Sequence, residues 1–365
     1  MVLCQAGRIA PLPRDRKPFD DCFQLGSRDG SHQSLLPPEP GVYSAPVRAR
    51  LIRALAAGAV VVGVGAALHA AESGTPGPFA VAVLRRDGII VPFAAFDGKR
   101  WSSPWPPPAV DLTVPIGLSA VPSKWWGPAK RALDHWQALL GTPAEAPRTL
   151  NVVQPDWIET HCQRQIGLRT DYRPAAVVPA RTAQPYPKDG IAVSPPQAIE
   201  PIAIVPPEGA DAQRIAPALL EAFNRAERLV EGRFGHTVKR RAREGVVPTV
   251  EAVYAFGDEP RIYYVEAARV YRQLGQPPDA CAQMAFGTGW FVQEGDQVRS
   301  LLTVVDLLNC DRLGASYMLP LGVVRIGSRV FWLAQFSGYD HERFVVLEMK
   351  AKAVEAALSV WGGGC

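Results

Sequence analysis

Between residues 250 and 349 seven apolar runs follow one another, at 250–256, 261–273, 284–293, 298–308, 318–326, 330–336 and 343–349, with only short stretches rich in Gly, Asp, Pro and Asn between them. Parallel strands need a crossover of a dozen or more residues, usually a helix. Gaps this short leave no room for one, so the runs must pair as antiparallel neighbours. The predicted class is mainly β with minor helix (α+β), its antiparallel sheets forming a sandwich or barrel. One amphipathic helix is expected at 215–231, where Ile215, Leu219, Phe223, Ala226 and Val230 recur at three- and four-residue steps. Glu221 and Arg225 support it as a pair four apart. No internal period is visible, which argues against a propeller or solenoid.

The first half carries similar signals. Asp87-Gly88 and Asp97-Gly98 follow the apolar runs 79–84 and 89–96 and predict hairpin turns. Pro92 marks the second run as an edge or bulged strand. Residues 110–121 alternate like a half-buried strand, 128–140 read as a short helix, and 151–168 read as extended. Residues 173–208 hold nine prolines but also the apolar stretches 191–193 and 199–205, which predicts an ordered connector contributing edge strands.

The segment 54–68 is a bare run of fifteen uncharged residues, entered through Arg48, Arg50 and Arg53 and left through His69-Ala70-Ala71-Glu72. A basic flank, a short apolar core and a small-residue exit are the features of an export signal. A spanning helix wants about twenty apolar residues, and Ala, Val and Gly insert less well than Leu or Ile, so cleavage near Ala71 is favoured over a retained anchor. The polar stretch 1–46 is then a mis-assigned upstream segment, with translation starting near Val47, or else a disordered cytoplasmic tail. The expected divisions are 1–46, the signal or anchor 47–71, a β-rich region 72–172, the connector 173–210, and a helix plus antiparallel β domain 211–365. A membrane is expected as a partner only through 47–71, if that segment stays uncleaved.

Of the 39 basic and 35 acidic residues, 8 and 5 precede residue 72, so the exported part is close to neutral. That balance carries no electrostatic footprint for nucleic acid, and no such partner is expected. The cluster Lys239-Arg240-Arg241 with Arg243 reads as a solvated face. Cys162, Cys281, Cys310 and Cys365 form an even set for an oxidising compartment. Cys281 and Cys310 flank a predicted strand pair and are the leading disulfide candidates, and Cys162 with Cys365 could form a second bridge. No Cys-x-x-Cys and no histidine at ligand spacing occurs, so neither a metal nor a cofactor is expected.

Chemistry-bearing motifs are sparse. Gly287-Thr288-Gly289-Trp290-Phe291-Val292 resembles the Gly-x-Gly strand opening of trypsin-like proteases, a resemblance confined to these six residues. The histidine that would follow on the next strand is missing from 301–308, and no Gly-x-Ser-x-Gly elbow is present. The expectation is a strand whose glycines permit close packing. His161 beside Cys162 does not make a nucleophilic pair, because adjacent strand residues face opposite ways. Trp101, Trp105, Trp125, Trp126, Trp290 and Trp332 read as core and Pro–Trp packing rather than a sugar platform. Asp340, His341 and Glu342 are the candidate catalytic residues, with Asp306, Asp311 or Arg312 as possible neighbours. Set against this is a plain hairpin turn with solvated charges. The expected function is therefore an exported β-rich protein in a non-catalytic binding or envelope-associated role. The rival is an extracytoplasmic hydrolase working through Asp340, His341 and Glu342.

Overall fold

Asp87-Gly88 joins β1 (Phe79–Arg85) to β2 (Ile89–Phe96) in an antiparallel hairpin. Gly88 takes φ +80°, and a Cβ there would lie 2.9 Å from the Tyr172 carbonyl oxygen, so the turn requires glycine. Pro92 sits where the register slips by one residue opposite Val81 and Ala82, the bulge that proline in a strand implies. The computed structural model describes residues 77–365 apart from 130–133, 142–146, 195–196, 235 and 278, all within one compact unit, Thr75–Cys365. The expected upstream segment 1–46 and the expected signal or anchor 47–71 lie outside the described residues. Among the described residues no helix is long and apolar enough to cross a membrane.

The hairpin continues into a closed six-stranded barrel. After the two-residue β3 (Trp101–Ser102), which extends β2, come β4 (His135–Leu140), β5 (Arg148–Thr160), β6 (Gln163–Thr170) and β7 (Lys188–Val193). The order is β1-β7-β4-β5-β6-β2, closed by the β1–β2 pairing. Two expectations are corrected here. Residues 135–140 form a strand rather than the end of a helix, because Trp136, Ala138 and Leu140 alternate inward between β5 and β7. Residues 110–121 hold no strand, only a 3-10 turn at Leu118–Ala120, and the isolated bridge from Ala109 to Arg164 lies just before them. Pro115 removes a ladder donor in that run, and Gly117 at φ +82° turns the chain. The connector also does more than supply edges, since β7 is an internal barrel strand.

The second half forms two further sheets. β8 (Ala203–Val205), β9 (Thr249–Phe256), β10 (Arg261–Tyr271), β11 (Gln283–Glu294) and β12 (Gln297–Leu308) run in the order β12-β11-β10-β9-β8. A four-stranded meander follows: β13 (Tyr317–Ile326), β14 (Arg329–Ser337), β15 (His341–Met349) and β16 (Val354–Gly364). The expected helix is α1 (Ala210–Phe234), and the basic cluster falls in the one-turn α2 (Arg240–Arg243), where Arg243 pairs with Glu231. The class is mainly β with minor helix, as the spacing of the apolar runs predicts.

Strand alternation stacks these parts in layers. Ala80, Ala82, Ile90, Trp136, Leu150, Ile166, Leu168 and Ala192, drawn from all six barrel strands, form one cluster that fills the barrel. Phe79, Val81, Val83, Val91 and Ile191 point the other way and pack on Val324, Phe331, Leu333, Phe344 and Val346 of the meander. The meander's opposite face meets the five-stranded sheet through aromatic edges, Trp332 against Phe256 and Trp290, and Phe336 against Tyr264. Helix α1 covers the outer face of that sheet with Ile215, Leu219 and Phe223. Gly287 explains half of the Gly-x-Gly motif: a Cβ there would sit 2.4 Å from the Phe223 ring, so the helix approaches over bare backbone.

Both cysteine pairs are at bonding distance. Cys281 and Cys310 tie the open end of the β11–β12 hairpin, with Cα atoms 6.0 Å apart. Cys162, at the β5–β6 turn, meets Cys365 beyond β16, with Cα atoms 5.0 Å apart. This geometry fits an oxidising environment.

Candidate functional site

The turn Gly338-Tyr339-Asp340 reverses the chain between β14 and β15, closed by the Gly338 N–H donating to the His341 carbonyl at 3.0 Å. His341 opens β15, stacks on Trp361 with ring planes 9° apart, and pairs through Nδ1 with Asp340 Oδ1 at 2.8 Å. That contact holds the Asp340 carboxyl below its ordinary value. Glu342 goes to the opposite face, as alternation demands. Its two carboxylate oxygens accept from Lys188 Nζ at 2.7 and 2.8 Å in a pair about 95% removed from solvent on both sides. The three candidate residues therefore diverge: Asp340 and His341 are part-exposed neighbours on one face, and Glu342 is a buried partner of the barrel. The possible neighbours are engaged elsewhere, Arg312 with Glu251 at 2.7 and 2.8 Å and Asp311 with the Leu313 N–H, while Asp306 is exposed on β12. His341→Ala is expected to change stability by only about half a kcal/mol, as at ordinary surface sites, measured by urea unfolding. A loss above about 2 kcal/mol would show the imidazole to be a structural anchor.

His161 lies near the same turn, brought there by the neighbouring Cys162–Cys365 bridge. Its backbone is left-handed at φ +51° and its buried Nε2 has no hydrogen-bond partner. Burial lowers its pKa below the ordinary 6.5, opposed by the Glu342 carboxylate and reinforced by the Lys188 ammonium. Among the described residues no group of three or more His, Cys, Asp or Glu side chains could hold a metal ion.

On the other side of Lys188 the barrel and β13 enclose a cleft of about 470 Å³. Arg86, Arg148, Arg173 and Lys188 are among its lining residues, the Lys188 ammonium itself being turned to Glu342, and Leu139, Leu140, Pro201, Ile202, Leu319 and Leu321 give it an apolar wall. Asp189 is the single carboxylate among the described lining residues, and it is already used: Arg86 Nε donates to it at 2.8 Å and Tyr172 Oη at 3.0 Å. Gly190 is required at the cleft floor, because a Cβ there would strike the Leu139 carbonyl oxygen at 2.1 Å. Comparison with family models, curated proteins and solved structures gives no match. The cleft stands on its geometry alone.

Sequence reading missed this cleft because its cations come from four separated places, the β1 turn, the start of β5, the residue after Tyr172, and β7. No local spacing joins them. It also missed a buried network under α1. Glu227 accepts from His236 Nε2 at 2.9 Å, Arg269 at 2.6 Å and Tyr271 Oη at 2.5 Å, while His236 Nδ1 meets Gln283 Oε1 at 2.7 Å and Arg269 reaches Asn224 at 2.6 Å. Arg269 and Tyr271 sit two apart on the helix-facing side of β10, and that polar step on an apolar face is the signal available in the sequence. With His236 only 2% exposed and its partners satisfied, the network anchors helix to sheet.

A last buried acid lies between the two sheets. Glu266 on β10 accepts the Met318 N–H at 2.7 Å. Burial pushes its pKa up from 4.5 to about 7; the Met318 N–H pulls it back and the Glu251 carboxylate adds to the rise. A carboxyl whose folded pKa is raised stabilises fully below its unfolded value and loses that contribution as pH rises through the folded one. The window here runs from about pH 4.5 to about 7. At roughly 1.4 kcal/mol per pKa unit, Glu266→Gln should gain on the parent by about 3 kcal/mol between pH 4 and pH 8, read from urea midpoints at both pH values. A difference that stays constant with pH would remove Glu266 as the titrating group.

Proposed function

We propose that this chain is an exported binding protein, held together by two disulfides and performing no chemistry of its own, with the cleft between the barrel and β13 as its ligand seat. One observation carries the reading: the cleft gathers cations and apolar side chains, while its single described carboxylate is occupied by Arg86 and Tyr172. Ligand sites are concave and combine an apolar wall with a few placed polar groups. Hydrolysis by the Asp340–Glu342 turn is the weaker reading, because it asks for convergent acid and base groups and Glu342 is committed to Lys188. The export part of the reading is supported by the apolar run at 54–68 and by cysteine pairs that suit an oxidising compartment.

Fractionation of cells expressing the full chain tests the address. The protein should appear outside the cytoplasm with no thiol free to alkylate among Cys162, Cys281, Cys310 and Cys365, starting near Ala71 or Glu72. A cytoplasmic product with those four thiols reduced would overturn export. Turnover of chromogenic glycosides or esters that is lost on Asp340→Ala or His341→Ala would overturn the non-catalytic reading.

A further inference from the structure

We propose that the cleft takes an anion that carries an apolar body, its charged group being a phosphate or carboxylate held by Arg148 and Arg173. The inference rests on the binding reading above and names the ligand class for that same site. Not all of the four cations are equally available. Lys188 is spent on Glu342, and Arg86 on Asp189. Arg148 and Arg173 form no ion pair among the described residues. Arg148 lies over the Tyr172 ring with its guanidinium carbon 5.7 Å from the centroid, and Arg173 donates to the Tyr172 carbonyl oxygen at 3.0 Å. One aromatic residue thus positions both guanidinium groups at the same wall, and Tyr172 is itself fixed from below by its bond to Asp189.

The Asp171 carboxylate feels the Arg148 charge but forms no ion pair with it, so two guanidinium groups outside any ion pair favour an oxyanion, since the planar fork of N–H donors matches carboxylate and phosphate oxygens. The remaining wall decides what else the ligand must be. Leu139, Leu140, Ile202, Leu319 and Leu321 offer no hydrogen-bonding side chain, so a fully hydrated ion such as free phosphate would leave half of the cleft unused. A ligand with one anionic end and one apolar end satisfies both halves. A volume of about 470 Å³ suits a small molecule rather than a polymer segment.

Phenyl phosphate is a fitting probe, with phenol and inorganic phosphate as its neutral and apolar-free halves. Calorimetric titration of the full, oxidised chain near neutral pH should show saturable binding of phenyl phosphate, with both halves at least tenfold weaker. The double variant Arg148→Ala/Arg173→Ala should weaken phenyl phosphate at least tenfold without changing the melting temperature, because both side chains are exposed. Arg225→Ala, on the outer helix, should leave binding unchanged. If the alanine pair does not fold, Arg148→Gln/Arg173→Gln carries the same expectation. Absence of saturable phenyl phosphate binding, or binding untouched by the double variant, would overturn the inference. Phenol binding as tightly as phenyl phosphate, and lost on Leu319→Asp, would overturn the anion while leaving a binding protein. Release of phosphate from the bound probe would do the reverse, keeping the anion site and ending the non-catalytic reading.

Discussion

Replacing Cys162 and Cys365 together by serine is expected to lower the unfolding free energy by about 5 kcal/mol, the largest effect of any small change in this chain. The bridge spans 203 residues, and in the chain-entropy account the stabilisation grows with the logarithm of the loop it closes. The Cys281–Cys310 bridge, across 29 residues, should be worth about 3–4 kcal/mol by the same reasoning. The long bridge also sits at a junction. Thr160 Oγ1 donates to the Gly362 carbonyl at 2.6 Å, Trp361 Nε1 donates to Gln163 Oε1 at 3.1 Å, and Gly363 at φ +121° leaves room for the Thr160 side chain. These contacts fasten the last strand of the meander to the rim of the barrel, and they remain in the serine variant. Urea unfolding under non-reducing conditions measures both losses. If the two double variants lose equal stability, loop entropy does not set the order; if the long bridge costs under 1 kcal/mol, the junction contacts already constrain the chain.

What the sequence makes legible is what depends on nearest neighbours. Asp87-Gly88 dictates a hairpin because its turn geometry is local, and Ile215 to Val230 dictate a helix because the stripe is written in one segment. Cysteines at both ends of a strand pair point to their own bridge for the same reason. Residues 135–140 are ambiguous by contrast: Trp136 and Leu140 suit a helical step as well as a strand step, and only pairing with β5 and β7 decides between them. β16 went unread because its exposed and half-buried residues, among them Glu355, Ala356 and Ser359, lack an apolar run. The β1–β7 pairing that makes the barrel possible is equally invisible, since it joins strands more than a hundred residues apart.

The site follows the same rule. Asp340, His341 and Glu342 attract notice because they are adjacent, yet adjacency in a strand sends Glu342 away from the other two. The cationic cleft goes unnoticed because its parts are far apart in the chain. Its long-range partner is visible only after folding, when β7 of the barrel and β15 of the meander place Lys188 against Glu342.

That ion pair supports the second large expectation. Lys188→Met should cost about 3–5 kcal/mol, because it leaves the Glu342 carboxylate buried without its cation. Both side chains are about 95% buried, and burial already pushes the Lys188 ammonium below its ordinary pKa while Glu342 pulls it back up. The pair is thus an expensive way to join two layers that otherwise meet through Val91, Phe93 and Phe344. Replacing both partners at once tests whether it is kept for stability. Lys188→Met/Glu342→Leu removes both desolvated charges and fills much of the same volume, and buried pairs so replaced are often neutral or gain about 1–4 kcal/mol. The double variant should therefore recover most of what the single one loses, read from urea midpoints in a double-mutant cycle. Recovery would mean that the charges fix the register of barrel against meander, holding the cleft wall at Lys188 in place, rather than supplying net stability. A double variant as unstable as Lys188→Met would instead show that the two hydrogen bonds to Glu342 contribute more than their burial costs.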